Sequence, residues 1–142
     1  MIVPDANLLL YAYDQSSRHH EISKEWWVEC LSGRQPVGLC SVVIFAFIRI
    51  GTSSRAFQHP MSIAEAAGHV RSWLDRSVIE VLHVDQADIQ QALTWLEEQG
   101  VGANLTTDAQ IAAVSHRFGA VVHAADMDFQ RFPVRSFNPL IR

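Results

Sequence analysis

Residues 121–133 read VVHAADMDFQRFP: an apolar run, then Asp126 and Asp128 two positions apart, then aromatic and basic residues. The run has the length and apolarity of a buried strand, and Asp126 falls where such a strand would end. The chain opens in the same way, with MIV stopping at Pro4-Asp5 inside MIVPDANLLLYAYD, residues 1–14. Asp126 alone is accounted for by a turn, and Asp5-Ala6-Asn7 by an Asx-type turn or a cap for the segment NLLLYAY. Their joint placement carries more than either one.

Between these two stretches the pattern alternates. Residues 17–31 repeat Ile22, Trp26 and Cys30 at helical spacing, with Gly33 as a stop. PVGLC, residues 36–40, is a second strand candidate, and Ser41 is expected to cap VVIFAFIRI (42–50), which is too long and too apolar to be only a strand and reads as a buried helix. Ser62 and Glu65 form a capping box ahead of a face made by Ile63, Ala66, Ala67, Val70 and Leu74. VIEVLHV (78–84) is a third strand, and Asp85 opens a helix with Ile89, Ala92, Leu93 and Leu96 inward and Gly100 after it. Thr107 and Gln110 make a second capping box, heading a helix that ends at Gly119. VVHAA (121–125) is the fourth strand and Ser136-Phe137 a short fifth. The alternation predicts an α/β fold over a single domain, 1–142: a central parallel sheet of four to five strands flanked by helices on both faces. The stretch SSRAFQHP (53–60) is the best candidate for a mobile segment.

Composition narrows the class. In 142 residues, 49% are hydrophobic and 18% charged, which is globular rather than disordered usage. A net charge of −4 gives no overall basic footprint, so any nucleic-acid contact must come from a local cluster. Lys24 is the only lysine, which leaves arginine to make such contacts. Cys30 and Cys40 have neither disulfide-framework nor zinc spacing and fit buried thiols in a reducing compartment. The N-terminus has no basic leader and the longest apolar run is too short for a bilayer, so the expectation is a cytoplasmic protein without a membrane partner.

In open α/β sheets ligands bind beyond the carboxyl ends of the strands. Asp5 and Asp126 follow strands there, Asp128 is close by, and Asp108 lies in the first turn of the helix beginning near Thr107. A first-turn acid is also favoured by the helix dipole, and Asp128 also fits a solvent-facing neighbour on the turn. Together, like charges at one rim would raise one another's pKa unless a cation joins them. An oxygen-only set suits Mg²⁺ or Mn²⁺, and such an ion at such a rim serves phosphodiester hydrolysis.

Three segments in order carry a resemblance: VPDANLLLYA (3–12), NLTTDAQIAAV (104–114) and AADMDFQRFP (124–133), with FIRIGTSSRAF (47–57) and SFNPL (136–140) between and after them. The set resembles the PIN-domain family, and within it the VapC-type toxins of bacterial toxin–antitoxin pairs. The resemblance implies a Mg²⁺- or Mn²⁺-dependent endoribonuclease toxin of a type II pair. Its substrate would be RNA, a cognate VapB-like antitoxin would hold it inactive, and it would commonly be a homodimer. It implies Asp5, Asp108 and Asp126 as catalytic metal ligands, Asp128 as an additional acid at the metal, and Asn7 and Thr107 as polar residues supporting them. One departure stands out. Many members carry a glutamate where this chain has Ala46, and no acid occurs between Ser41 and Glu65. That departure motivates a rival reading, a non-catalytic PIN-like module that binds an antitoxin or RNA. A phosphoryl-accepting α/β domain fares badly, because Lys24 falls early in a helix and not after a late strand.

Four further features invite interpretation. His19-His20-Glu21 lacks the spacing of a zinc helix and reads as a solvated helix face. His123 reads as a partly buried structural residue. Trp26 and Trp27 are not expected to face one core together, which would leave one for a partner chain. Arg49, Arg55, Arg131 and Arg135 lie nearest the expected rim and are the candidates for phosphate contacts.

Overall fold

Three short apolar segments are buried along their whole or central length, and that makes them the middle of a sheet. The computed structural model describes residues 1–141; Arg142, the last residue of the expected domain, lies outside the described residues. Strands β1 (Ile2–Pro4) and β2 (Val37–Cys40) are buried throughout, and β4 (Val121–His123) at its centre. Strands β3 (Ile79–Leu82) and β5 (Arg135–Phe137) are the more exposed edges. The order is β3-β2-β1-β4-β5 and every pairing is parallel. The sheet thus reaches the upper end of the expected strand number.

The helices are α1 (Ala6–Tyr13), α2 (His20–Ser32), α3 (Ser41–Gly51), α4 (Ile63–Leu74), α5 (Gln86–Gln99) and α6 (Leu105–Phe118), with a 3₁₀ turn at Asp128–Arg131. α1 packs against α2 and α3, α3 against α4, and α5 against α6. Right-handed crossovers place the first group on one face and the second on the other. The capping box at Ser62 forms as the sequence suggests, with Glu65 N–H donating to Ser62 Oγ at 3.1 Å. A box missed in the sequence joins Asp85 and Asp88 at the start of α5, and Gly100 and Gly119 end α5 and α6 in the left-handed conformation.

Several local expectations are corrected. Ser41 is the first residue of α3 rather than its cap. The box at Thr107 does not form, because α6 starts earlier, at Leu105. Ala103 turns at φ 49°, and the carbonyls of Gly102 and Ala103 accept from the N–H groups of Leu105 and Thr106. Those bonds satisfy donors that a cap would have served. Gly33 does end α2, but with φ −81°; what requires glycine is Glu29 O, 2.9 Å from where a Cβ would stand. On α4, Ala66 and Val70 are buried as expected, but Ile63 and Leu74 are exposed and Trp73 is buried with the first two. On α5, Ile89 and Leu93 are half-exposed while Asp88, Ala92 and Trp95 face inward. The guanidinium of Arg117 on α6 grips Asp88 through Nε and Nη2 at 2.9–3.1 Å, so Asp88 lies on the inward face of α5. α3 is buried on one face only: Val43, Ile44 and Phe47 are inside, and Phe45 is 67% exposed.

Trp26 and Trp27 are both buried, contrary to expectation, at 4% and 2% exposure. α2 lies in the angle between two neighbours. Trp26 donates its indole N–H to His123 Nδ1 at 3.0 Å, while Trp27 meets Trp73 edge-on with centroids 5.5 Å apart. The expected solvated face at His19-His20 is also absent: His20 Nδ1 lies 3.0 Å from Tyr11 O and His19 sits against the Tyr11 ring. His123 is partly buried, as expected, and its imidazole is held down to about 4, by burial first and then by the amino terminus. Both cysteines are buried free thiols. The segment 53–60 is pinned by Phe57, which is buried.

An aromatic cluster joins the helices of one face. Trp73 lies against Phe47 at 4.8 Å and gives its indole N–H to Tyr13 Oη at 2.8 Å. Trp73→Ala is expected to destabilise the fold by about 3–5 kcal/mol in denaturant titration. Phe45→Ala, on the exposed face of α3, is expected to change stability by less than about 0.5 kcal/mol.

Candidate metal centre

The chain runs β1, β2, β3 toward one edge and then crosses back to place β4 on the other side of β1. Strand order reverses there, and the crevice beyond the carboxyl ends of β1 and β4 is where an open α/β sheet binds its ligand. Pro4 pairs with His123 as the last rung of that ladder. The next residue of β1 is Asp5, whose N–H donates to His123 O at 2.9 Å. Asp126 stands three residues beyond His123, so both acids leave the sheet at one point.

Each acid also does local work. Asp5 is the N-cap of α1 and its Oδ1 accepts from Ala6 N–H at 2.8 Å. Asp126 Oδ1 accepts from Asp128 N–H at 3.1 Å, an Asx turn that starts the 3₁₀ segment. The turn and the acid cluster therefore coexist. Asp108 sits half-buried in the first turn of α6.

Electrostatics ties the four together. Asp5 is pushed up to about 6, chiefly by burial; the Ala6 hydrogen bond opposes this, and Asp126 and Asp128 add to it. Asp108 is pushed up to about 7, by burial first and then by Asp5, Asp126 and Asp128. Among the described residues, no Lys, Arg or His forms an ion pair with any of these acids. As the side chains stand, no three metal-binding groups among the described residues converge at ligating distance. Repulsion between like charges and the capping bond of Asp5 favour such a spread. The donor set itself is all carboxylate oxygen, uncompensated and partly desolvated, which fits a hard divalent cation such as Mg²⁺ or Mn²⁺.

Around the cluster the expectations divide. Asn7 and Thr107 are exposed, and among the described residues no hydrogen bond joins either to an acid. Ala46 is half-buried on α3 and contributes no ligand. On that flank the Cys40 thiol is pushed up to about 12, by burial and then by Asp88 and Asp5, and stays neutral. Arg49, Arg55 and Arg131 are exposed and unpaired among the described residues. Arg135 is not at this rim: it pairs with Val121 at the amino end of β4 and its guanidinium donates to Gly119 O at 3.0 Å.

The sequence pattern of the PIN domain matches residues 2–134. Ribonuclease VapC33 of Mycobacterium tuberculosis is 37% identical over 132 residues, 93% of this chain and 92% of that protein. The chain belongs to the PIN-domain family. Ribonuclease VapC37 of the same organism is 38% identical over 135 residues, covering 93% and 92%. Solved PIN structures share the fold. The M. tuberculosis VapC20 toxin, described as cleaving the sarcin-ricin loop, superposes with a TM-score of 0.70 at 22% identity, covering 92% of this chain and 93% of that one. The FitAcB structure from Neisseria gonorrhoeae gives 0.68 at 19% identity with full coverage of both. No helix of the described residues is long and apolar enough to cross a membrane.

The raised acids of this PIN domain make its metal-free stability depend on pH in a definite sense. The unfolded carboxylates titrate near 3.8, whereas Asp5 and Asp108 titrate near 6 and 7 when folded. Between those values the folded state holds protons that the unfolded state has lost, so stability falls as pH rises from about 4 to about 7. In chelator, the melting temperature is expected to be higher at pH 5 than at pH 8 by about 5 °C. Asp108→Asn should flatten this difference, and thermal melts across that pH range check it.

Proposed function

We propose that this protein is a divalent-metal-dependent endoribonuclease, the toxin of a type II toxin–antitoxin pair. The observation that carries the reading is that Asp126 and Asp128 stand close enough to Asp5 and Asp108, at the switch point of the sheet, to raise their pKa values, with no ion-pairing cation among the described residues. Family membership and the ribonuclease names of its relatives support the choice of RNA as substrate. They also support a cognate VapB-like antitoxin as partner, a homodimer and a cytoplasmic setting. The DNA-bound VapBC structure from Salmonella typhimurium and a toxin–antitoxin complex from Klebsiella pneumoniae, both with the same fold, lend weight to the antitoxin.

Asp5, Asp108 and Asp126 would hold Mg²⁺ or Mn²⁺. When bound, such an ion supplies charge neutralisation at the scissile phosphate and at the leaving oxygen. Asp5 is the rigid member, fixed by its N–H to β4 and by its cap to α1. Asp128, exposed on the 3₁₀ turn, is free to accept a hydrogen bond from the attacking water and so orient it. With Ala46 on α3, that task has no carboxylate on the opposite flank. Arg49, Arg55 and Arg131 would take flanking phosphates.

Cleavage of single-stranded RNA with Mg²⁺, Mn²⁺ or chelator tests the reading. Activity should require the ion and be abolished in Asp5→Asn and Asp126→Asn. Asp128→Asn should lower kcat by about 10–100-fold, as for a residue that supports the ligands. Metal-independent cleavage, or full activity in Asp5→Asn, would overturn the mechanism. The second reading, a non-catalytic module, rests on Ala46; it predicts RNA or antitoxin binding without cutting under any ion. Three arginine–phosphate contacts would give log affinity against log salt a slope of about −2, measurable by RNA titration at several salt concentrations.

A further inference from the structure

The register of Ile2 against Val37, continued to the strand ends, sets Asp5 beside Cys40, and α3 begins at the next residue. α3 therefore leaves the sheet at the flank of the acid cluster. Its inner face is Val43, Ile44 and Phe47, and its outer face carries Phe45 and Arg49. Those two are four residues apart and so neighbours on the helix surface. Phe45 is 67% exposed, and no other large apolar side chain of α3 is exposed. Val42 and Ala46 beside it are half-buried.

An exposed ring has two ordinary uses. A protein partner covers contiguous apolar area. A single strand of RNA uses a lone aromatic face for a base and an adjacent cation for its phosphate. On α3 the exposed ring stands alone with a guanidinium one turn away, and that pairing fits the second. We propose that Phe45 is a base-stacking platform, with Arg49 on the adjoining phosphate, for a nucleotide of single-stranded RNA next to the scissile bond. This rests on the ribonuclease reading above. Phe45 positions substrate through a base and does not touch the reacting phosphate. Ala46 suits that task, because a carboxylate there would repel the phosphate that Arg49 draws in.

The test uses a short fluorescein-labelled single-stranded RNA of mixed sequence, for cleavage with Mn²⁺ by the full chain and for binding by Asp126→Asn. Phe45→Ala should raise KM, and the Kd measured in the Asp126→Asn background, by about tenfold with kcat within twofold, in the range of one lost base stack. Phe45→Trp should restore affinity and Phe45→Leu should not. RNA carrying abasic sites should bind wild type and Phe45→Ala alike. Unchanged KM in Phe45→Ala, or rescue by leucine, would overturn the proposal. So would a fall in assembly size by sedimentation with RNA affinity intact, which would assign the ring to a second copy. If wild type neither binds nor cuts RNA, the ribonuclease reading fails and takes this one with it; if wild type cuts and Phe45→Ala matches it, only the stacking role fails.

Discussion

The hydrogen bond from Asp5 N–H to His123 O is the constraint on which the site depends. It extends the β1–β4 ladder past Pro4, so the residue that leaves the sheet and the residue that caps α1 are the same one. Because side chains alternate across a strand, a slip of one residue in this pairing would send Asp5 to the other face. The burial of β1 between β2 and β4 makes such a slip costly, since Ile2, Val3 and Val122 are all core residues. The distance in sequence between the two acids is thus irrelevant to their meeting; the strand register decides it.

Two groups of acids in this chain show how a shared residue type serves opposite ends. Burial alone would raise the pKa of Asp88, but the Arg117 guanidinium and the Asp85 backbone bring it below the usual value. That carboxylate is compensated and it ties α5 to α6. Asp5 and Asp108 are raised by burial and raised again by their acidic neighbours, and no arginine among the described residues answers them. The first arrangement stabilises the fold. The second opposes it and persists because the surrounding core, including the Tyr13–Phe47–Trp73 cluster, holds the strands and helices in place. A desolvated acid group left without a partner in a crevice is the mark of a ligand site rather than a structural ion pair.

The strands and five of the six helices were legible in the sequence, because apolar runs and helical periodicity are local signals, while α1 was legible only as one alternative for the segment NLLLYAY. The placement of Asp5 and Asp126 beyond strand ends and of Asp108 in a first helical turn was legible too, since such positions can be read without knowing the partner. What escaped was whatever a distant residue decides. Ile89 and Leu93 fit an inward stripe on α5, yet the face turned inward is the one on which Asp88 meets Arg117 of α6. Trp26 and Trp27 are incompatible with one flat core but compatible with two walls, one at His123 and one at Trp73. Arg135 is close to Asp128 in sequence, yet the parallel return to β5 carries it to the amino ends of the strands. The box at Thr107 lost to the turn at Ala103, where the backbone itself supplies the first acceptors.

The position of Ala46 then takes on a physical meaning beyond a missing ligand. Asp5 has two flanks. On the β4 and α6 side stand Asp126, Asp128 and Asp108, so negative charge is concentrated there. On the β2 and α3 side stand a neutral thiol at Cys40, a methyl group at Ala46, an exposed ring at Phe45 and a cation at Arg49. A polyanion approaching the crevice meets repulsion on the first flank and none on the second. The field around Asp5 is therefore directional: negative charge is gathered on the β4 and α6 side, and α3 presents none. A glutamate at position 46 would place a carboxylate on that side too and remove the asymmetry, so under the proposed ribonuclease reading Ala46 leaves α3 open as the path for the strand.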